Sequence, residues 1–386
     1  MPIEGVLAGL RVVELSAFVA APFASATLAA LGADVIRVEQ RGGGIDANRW
    51  PVHQGRSLYR AGLDRGKRSL TVDLRSDPGQ ELVADLIRGG GEGGGIVVTN
   101  LGAQGWMAFD RLAAGRPDLI MVLIKGSPEG RTAVDYTVNA GLGFPFVTGP
   151  EGQRGPVNHV LPAWDVTTGA LAALAVVAAD RRRRQTGRGG LVEIALSEVA
   201  LEVTRALGYL DEARLVAEPR GRFGNYLYGT YARDFTTADG RSMMVCALTP
   251  RQWQALVDAT GAQSAIEELE ARTGADLRRE GDRFLHREAI SGPVGAWIRG
   301  RGLAAVAAEF DARGVLWGPY RTFKELLEAE PALAASRPSP LAFAGVDSPP
   351  PPPAPEIGAD TESILRDELG LGPAEIERLR AAGVVD

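Results

Sequence analysis

Short runs of β-branched residues alternate with helix-length segments through the first half of the chain. Arg11–Leu15 is one such run, a helical pattern from Pro22 to Leu31 follows it, and Asp34–Val38 is the next run. A strand, a helix of about ten residues and a second strand form the βαβ pattern of a parallel sheet. The alternation continues with predicted strands at 69–74, 96–99, 119–124 and 191–196 and a predicted helix at 77–88. The sequence therefore predicts a doubly wound parallel α/β domain.

The chain has 386 residues, which is more than one hydrophobic core usually supports, so we expect more than one domain. A linker-like composition near Glu218–Arg222 places the first boundary, giving a large domain at 1–217 and a smaller α+β domain at 218–330. In the smaller domain we predict strands at 226–231, 233–236 and 242–247, a hairpin turn at Asp239-Gly240, and helices at 250–260 and 282–299. Residues 331–386 are predicted to form a linker and carboxyl-terminal helices that pack on the large domain. The proline-rich stretch from Ser348 to Pro355 is predicted to be an extended strap.

Composition excludes several classes of function. The net charge of -6 argues against a nucleic-acid partner, which would require a basic face. The single cysteine, Cys246, allows no disulfide within the chain, and three scattered histidines give no metal-binding motif. The longest apolar run, Ala170–Ala179, is about half the length of a membrane span, and the amino terminus lacks the basic stretch of a signal peptide. We therefore expect a cytoplasmic protein that does not enter a membrane.

An aspartate, Asp165, stands directly before a long apolar helical pattern that includes Ala170–Ala179. An aspartate in this position is usually an N-cap, whose carboxylate accepts a backbone N–H of the first helical turn. The apolar composition predicts that the body of the helix is buried. A carboxylate at the start of a buried helix is also a candidate for chemistry, and these residues alone leave both interpretations open.

Several motifs along nearly the whole chain resemble those of the family III CoA-transferases. They are LAGLRVVELS at 7–16, LGADVIRVE at 31–39, GKRSLTVDL at 66–74, Thr99-Asn100-Leu101, TGRG at 186–189 and the terminal helix pair from Leu365 to Val385. The resemblance implies a homodimer of two interlocked ring-shaped subunits, with the carboxyl terminus returning to the large domain. It also implies that CoA enters as part of the substrate and that no cofactor is permanently bound.

In that family the aspartate before the long apolar helix is the covalent nucleophile, and Asp165 occupies this position. The resemblance thus implies that Asp165 attacks an acyl-CoA thioester and later carries CoA as an enzyme thioester. The positive end of the helix dipole would favour the ionised carboxylate that attacks. Backbone donors for the oxyanion that forms at each step are predicted at Gly141 and Gly143.

The resemblance also implies contacts with CoA. The positions that match the family's CoA-binding residues are Val19, Ala20, Val72, Asn100 and Leu101. Two positions that are basic in a related formyl transferase are Gln40 and Ala108 in this chain. The phosphates of CoA must therefore be bound by other cations, for which Arg41, Arg75 and Arg68 are the candidates.

Further motifs are similar to a branch of the family that moves CoA between the two carboxyl groups of one mesaconate, in the 3-hydroxypropionate route of carbon fixation. They include Arg49-Trp50-Pro51, Asp135–Asn139, Asn158–Asp165 and Gly224–Gly229. Such an enzyme must retain the free dicarboxylate, which calls for donors or cations that fit a second carboxylate. The predicted substrate ligands are His159, Asn158, Arg49 and Tyr136.

Three alternatives stay open from the sequence. An α-methylacyl-CoA racemase shares the aspartate but needs a histidine where this chain has Val134, which cannot exchange a proton. A transferase that uses a separate acid as acceptor is compatible with the motif around Asp165. A CoA-binding protein without catalysis is a third possibility, which the retained aspartate disfavours.

Overall fold

A computed structural model describes residues 3–218, 220–335, 337–347 and 349–386 of the chain. Two positions inside predicted segments, Pro219 in the linker and Ser348 at the start of the strap, lie outside the described residues. The chain divides into two compact units. The first contains the residues up to Leu142, His159–Leu215 and those from Ala335 onward, and the second contains Gly143–Asn158 and Val216–Ala334.

The strands and helices of both units are numbered here in chain order. The strands are β1 (Ile3–Glu4), β2 (Arg11–Leu15), β3 (Asp34–Glu39), β4 (Val52–His53), β5 (Arg56–Ser57), β6 (Lys67–Thr71), β7 (Ile96–Thr99), β8 (Ile120–Lys125), β9 (Gly190–Ala195), β10 (Tyr231–Thr236), β11 (Ser242–Ala247), β12 (Leu316–Pro319) and β13 (Val346–Asp347). The helices are α1 (Ala20–Ala30), α2 (Leu58–Leu63), α3 (Asp77–Arg88), α4 (Phe109–Ala113), α5 (Asp135–Ala140), α6 (Phe144–Val147), α7 (Ala163–Thr186), α8 (Leu196–Ala206), α9 (Tyr209–Leu215), α10 (Pro250–Thr260), α11 (Gln263–Thr273), α12 (Glu280–Leu285), α13 (Arg287–Arg299), α14 (Leu303–Arg313), α15 (Phe323–Ala329), α16 (Thr361–Leu369) and α17 (Pro373–Ala381).

The first unit is built on a six-stranded sheet with the strand order β6-β3-β2-β7-β8-β9. Every neighbouring pair in it is parallel, so the predicted parallel α/β sheet is confirmed. The chain builds the sheet outward from β2 on one side and from β7 on the other. A reversal of this kind leaves a crevice beyond the carboxyl ends of the two central strands, where such sheets bind ligands.

Both faces of the sheet are covered, because successive side chains of its strands point to opposite sides. Val13 and Val97 face a core that includes α3 and the carboxyl-terminal helices α16 and α17. Val12 and Val98 face a second core formed with α1 and α7. The carboxyl-terminal helices are thus part of the first unit, where they complete one of its two hydrophobic layers.

The crossing of α1 and α7 requires a glycine at position 169. A Cβ added to Gly169 would lie 2.6 Å from the carbonyl oxygen of Ala20 and 3.1 Å from the Phe23 ring. The backbones of the two helices therefore approach more closely than a side chain allows. This approach sets the position of the first turn of α7 relative to the loop that precedes α1.

Replacing Gly169 with Ala is expected to destabilise the protein by about 1–3 kcal/mol, because α7 must move away from α1. Urea unfolding measures this effect. Gly281→Ala is the matched control: Gly281 is an exposed residue of α12, and nothing outside its own helix approaches within 4 Å of an added Cβ. Alanine should be neutral or stabilising there because it favours helix. Equal unfolding midpoints for Gly169→Ala and the wild type would contradict the close crossing.

One side of α7 is exposed in the single chain, which corrects the prediction that its body is buried. Ala172, Ala173 and Val176 are buried, whereas Leu171 and Leu174 are 41% and 61% exposed. Among the described residues, α7 is also the one helix whose length and composition would allow it to cross a membrane, a property it shares with core helices of other proteins.

The second unit combines a three-stranded antiparallel sheet, β10-β11-β12, with helices α10 to α14 around its own core. The predicted hairpin and α10 are present, whereas most of the strand expected at Tyr226–Tyr231 is loop and only Tyr231 belongs to β10. Helices α11 and α14 were not predicted. Gly143–Asn158 also belongs to this unit, although the predicted boundaries placed it in the large domain.

Candidate active site

A cavity of about 790 Å³ opens in the first unit at the crevice predicted by the strand order. Its wall includes Phe18 and Ala20, which follow β2, and Asn100 and Leu101, which follow β7. The carboxylate-bearing Asp165 lines the same cavity. The two central strands therefore bring their carboxyl ends and the start of α7 to one site.

Asp165 is the third residue of α7, so the interpretation of this residue as an N-cap is wrong. The helix begins at Ala163 and the preceding Pro162 makes no side-chain cap. Instead, Asp135 Oδ2 accepts hydrogen bonds from the backbone N–H groups of Trp164 at 2.7 Å and Asp165 at 3.2 Å. A carboxylate from another helix therefore caps α7, and the side chain of Asp165 is left available to the cavity.

Asp135 also connects the segment before α7 to helix α5. It is fully buried, and its Oδ1 lies 2.6 Å from Nε2 of His159, to which it is hydrogen-bonded. Next to it, the Trp164 indole N–H donates to Asn139 Oδ1 at 3.1 Å, and the Tyr136 hydroxyl donates to the Val160 carbonyl at 3.0 Å. These bonds fix the first turn of α7, and hence Asp165, against α5.

The sequence motif Asp135–Asn139 did not predict a role for Asp135 itself. The available signal was an acidic residue at the start of a helical pattern, which is a common but unspecific feature. That its carboxylate caps a different helix, about thirty residues away in sequence, is a tertiary property that local patterns do not contain.

The loop between β2 and α1 is held from two sides. The Asn100 side chain accepts from the Ala17 N–H at 3.0 Å and donates to the Ala17 carbonyl at 2.7 Å. The Phe18 N–H donates to Asp46 Oδ2 at 2.9 Å, and Phe18 has a φ of 66°. A non-glycine residue in this left-handed region is strained, and such strain concentrates at functional sites where the surroundings enforce it.

A buried group of charged side chains fixes Asp46 under that loop. Arg37 lies 3.4 Å from Asp46, 2.8 Å from Asp64 and 3.4 Å from Glu14. Four acidic neighbours, including Glu39, hold the pKa of Arg37 above its usual value although burial acts in the opposite direction. Arg37 therefore stays charged, and Asp46 is a rigid acceptor for the Phe18 N–H. Asp46 and Arg37 were not among the predicted site residues.

The electrostatic surroundings favour the protonated form of Asp165 relative to a free aspartate. Burial and, to a lesser extent, the negative charge of Asp135 together raise the pKa of Asp165 to about 6, against the opposing effect of Arg49. The helix dipole, which was expected to favour the ionised carboxylate, is thus not the dominant influence on the pKa of Asp165. At neutral pH the carboxylate is still mainly ionised, and its raised pKa makes it a stronger nucleophile than an ordinary aspartate.

The chain matches one protein family over most of its length. Residues 7–361 match the profile of CoA-transferase family III. The chain belongs to this family. It is 47% identical to the 2-methylfumaryl-CoA isomerase of Chloroflexus aurantiacus, over 99% of this chain and 98% of that protein. It is 30% identical to the succinyl-CoA–D-citramalate CoA-transferase of the same organism, over 82% of this chain and 79% of the other.

A solved structure supports the same assignment. The CaiB/BaiF family protein from Brucella suis superposes with a TM-score of 0.77 at 25% identity, covering 95% of this chain and 100% of that one. The resemblance inferred from the sequence motifs is therefore confirmed for the family and for the parallel α/β fold.

The CoA contacts predicted for this family III CoA-transferase fall into two groups. Ala20, Asn100 and Leu101 line the cavity. The others do not: Val19 is buried at the start of α1, Val72 is buried in the core beside Val385, Arg41 pairs with Asp386, and Arg75 is on the surface. Arg68 is also occupied, since it pairs with Asp34 and Glu368.

The predicted substrate contacts divide similarly. Arg49 and Tyr136 line the cavity, whereas His159 is bonded to Asp135 and does not line it. Asn158 belongs to the second unit, and so does Gly143, which precedes α6. Gly141 ends α5. Asn158, Gly141 and Gly143 do not line the cavity. The cavity therefore gives no support to Gly141 and Gly143 as oxyanion donors.

We expect CoA transfer to depend on the ionisation of Asp165. Because only the carboxylate attacks, kcat/KM should be level above pH 6 and fall about tenfold per pH unit below it. Initial rates across this range, with the substrate checked for stability, measure the profile. Rates that stay level down to about pH 4, the ordinary range of an aspartate, would contradict the raised pKa.

Proposed function

We propose that this enzyme moves CoA between the two carboxyl groups of one mesaconate, interconverting mesaconyl-C1-CoA (2-methylfumaryl-CoA) and mesaconyl-C4-CoA (3-methylfumaryl-CoA). The observation that carries the proposal is the Asp165 carboxylate, which lines the cavity while Asp135 performs the capping of its helix. The full-length similarity to the isomerase from Chloroflexus aurantiacus supports this choice of substrate.

Each step of the reaction exchanges a carboxylate and CoA thiolate on an acyl carbon. Asp165 attacks the thioester carbonyl of mesaconyl-C1-CoA, and the C–S bond breaks to release CoA thiolate and a mixed anhydride. The thiolate then attacks the Asp165 carbonyl of the anhydride, which gives an aspartyl-CoA thioester and free mesaconate. CoA is part of the substrate throughout, and no resident cofactor is required by these steps.

The second half of the reaction repeats these steps in reverse order, with the C4 carboxylate of mesaconate in place of the C1 carboxylate. The C4 carboxylate attacks the aspartyl-CoA thioester, CoA thiolate leaves, and a second anhydride forms. The thiolate attacks its mesaconyl carbonyl, which yields mesaconyl-C4-CoA and restores the Asp165 carboxylate. Atoms and charges balance, since the only net change is the carboxyl group that carries CoA.

A homodimer with interlocked subunits is also part of the proposal. The exposed leucines of α7, Leu171 and Leu174, form an apolar surface with Val177 that a second subunit would cover. Light scattering should give the mass of two 40.8 kDa chains, and the mass of one chain would contradict a dimer.

We propose a cytoplasmic location and a place in the 3-hydroxypropionate route, both consistent with the similarity to the isomerase.

The test is conversion without an acceptor. Purified protein is incubated with mesaconyl-C1-CoA and no added acid, and the two isomers are separated by chromatography. We expect the C4 isomer to accumulate to equilibrium. A strict requirement for added free acid would contradict the proposal and indicate an intermolecular transferase instead. Racemase chemistry is disfavoured by Val134, which lines the cavity and cannot transfer a proton.

A further inference from the structure

We propose that Arg49 binds the carboxylate of the substrate that does not carry CoA, so that the enzyme selects dicarboxylate thioesters and retains the free acid between the two transfers. This inference rests on the proposed function. Arg49 lines the same cavity as Asp165. Three observations lead to this role. Aromatic rings hold the guanidinium of Arg49, its N–H groups make no hydrogen bond to a carboxylate, and the cavity also contains the negative charge of Asp135.

Two aromatic rings hold the guanidinium. Its central carbon lies 5.1 Å from the ring centroid of Phe18 and 4.6 Å from that of Tyr59. The backbone is also anchored, since the Arg49 carbonyl accepts a hydrogen bond from Ser57 Oγ at 2.6 Å. Contacts with aromatic rings restrain the orientation of a guanidinium without using its N–H donors.

The N–H donors of Arg49 are not used by neighbouring carboxylates. Its nearest carboxylate oxygen is Asp46 Oδ1 at 3.9 Å, beyond hydrogen-bonding distance, and the side chain is 37% exposed. Over the part of the chain that the structure describes, no hydrogen bond from this guanidinium is found. Other cations of the cavity wall differ: Lys125 is bonded to Glu193 at 2.9 Å, and Arg131 is 82% exposed.

A cation is needed here once CoA has moved to Asp165. The released mesaconate carries two carboxylates in a cavity that Asp135 also lines, and the negative charge of Asp135 favours its escape. An arginine fork can bind one carboxylate with two parallel hydrogen bonds. The other end is then free to attack the aspartyl-CoA thioester. Arg49 also acts on Asp165, whose pKa it lowers, so a test must separate substrate binding from this effect.

The test compares two thioesters of the same carbon skeleton. Tiglyl-CoA has a methyl group where mesaconyl-C1-CoA has its free carboxylate. The rate of enzyme–CoA thioester formation is measured for both in single turnover, by the mass of the intact protein. Arg49→Gln should lower the rate constant for mesaconyl-C1-CoA relative to that for tiglyl-CoA on the order of 100-fold. Arg49→Lys keeps the charge but not the fork, and should give an intermediate ratio.

Arg131→Gln is the matched control, because it removes a cation from the same cavity wall and should leave the ratio of the two rates unchanged. An equal fall for both substrates in Arg49→Gln would overturn the proposal, since it would mean that Arg49 acts only through Asp165. An unchanged rate for both would overturn it as well. Unfolding midpoints near the wild-type value establish that the variants are folded.

Retention is tested with isotopically labelled mesaconate in the medium. The wild type should incorporate little label into the product, whereas Arg49→Gln should incorporate more in proportion to turnover. Equal incorporation by both proteins would contradict the retaining role. If wild-type protein needed an added dicarboxylate, the isomerase proposal would fail, but the ratio of the two thioesters would still decide whether Arg49 selects a carboxylate.

Discussion

Replacing Asp165 with Asn is expected to reduce isomerisation by at least about 10⁴-fold, because an amide cannot form the anhydride through which CoA moves. The same substitution should not destabilise the protein at neutral pH. The pKa of Asp165 is raised to about 6 by burial, so its ionised form is disfavoured in the folded state. A neutral side chain of the same shape removes this cost.

The sign of the pH dependence follows from the two pKa values. Between the usual value of 3.8 and about 6, the folded protein binds a proton at Asp165 that the unfolded chain has lost. The wild type therefore loses stability as pH rises through this window, and Asp165→Asn does not. The advantage of the variant should be present at pH 7 and absent near pH 4 in urea unfolding.

Asp180 on the same helix is the matched control. Burial acts to raise its pKa, but hydrogen bonds and charge from Arg184 and Arg183 hold the pKa of Asp180 below its usual value. Asp180→Asn should therefore lose stability at neutral pH and keep its CoA-transfer activity. Wild-type activity in Asp165→Asn, or loss of activity in Asp180→Asn at full stability, would contradict the assigned nucleophile.

Replacing Asp135 with Ala is the second substitution with a large expected effect. It removes the acceptor of the Trp164 and Asp165 N–H groups and the partner of His159. Loss of a buried acceptor with these partners should cost roughly 2–4 kcal/mol of unfolding free energy. Activity should fall by about 100-fold, because the first turn of α7 no longer holds Asp165 in place.

The Asp135→Asn variant separates the capping of α7 by Asp135 from the effect of its negative charge on Asp165. The amide oxygen can still accept from the start of α7, so stability should fall less than in the alanine variant. Because the charge of Asp135 raises the pKa of Asp165, its removal should move the midpoint of the pH–rate profile below pH 6. A midpoint that does not move would show that the two carboxylates do not interact.

Ser76→Ala provides a control for the loss of a helix cap. Ser76 Oγ accepts from the Gly79 N–H at 3.2 Å at the start of α3, and it does not line the cavity. The variant should lose about 1 kcal/mol and keep its activity. If Asp135→Ala resembled Ser76→Ala in both respects, the role of Asp135 at the active site would be refuted.

Local sequence patterns predicted the sheet of the first unit well. Residues 11–15, 77–88 and 96–99 were predicted with the bounds that the structure has. These elements combine an apolar period with clear ends, as in α3, where Ser76 caps the helix and Pro78 stands in its first turn. The second unit was predicted less well, because α11 carries few buried residues and so lacks a strong apolar period.

The site could be predicted only in part, for reasons that are physical. Asp165 follows from its position in a family motif, and Asn100 from its place after a central strand. The role of Asp135 depends on a contact between two helices, and that of Asp46 on a buried group of charges. The burial of Val72 depends on the carboxyl-terminal segment that covers it, which is distant in sequence. Such contacts leave no local pattern to find.

The exposed side of α7 illustrates a related limit. Its composition is apolar all round, which is typical of a helix surrounded by protein. In the single chain only one side of it is covered. Composition therefore indicates that the helix is covered in the functional protein but not by which chain, and this is why the dimer belongs to the proposal.

The most direct test of Asp165 as the nucleophile is to trap the aspartyl-CoA thioester during turnover. Protein mixed with mesaconyl-C1-CoA is treated with hydroxylamine, digested, and the peptides are analysed by mass spectrometry. We expect a hydroxamate in place of the side-chain carboxylate of Asp165, formed only when the substrate is present and absent from Asp165→Asn. A hydroxamate at another residue, or none while the enzyme is turning over, would contradict an aspartyl-CoA intermediate at Asp165.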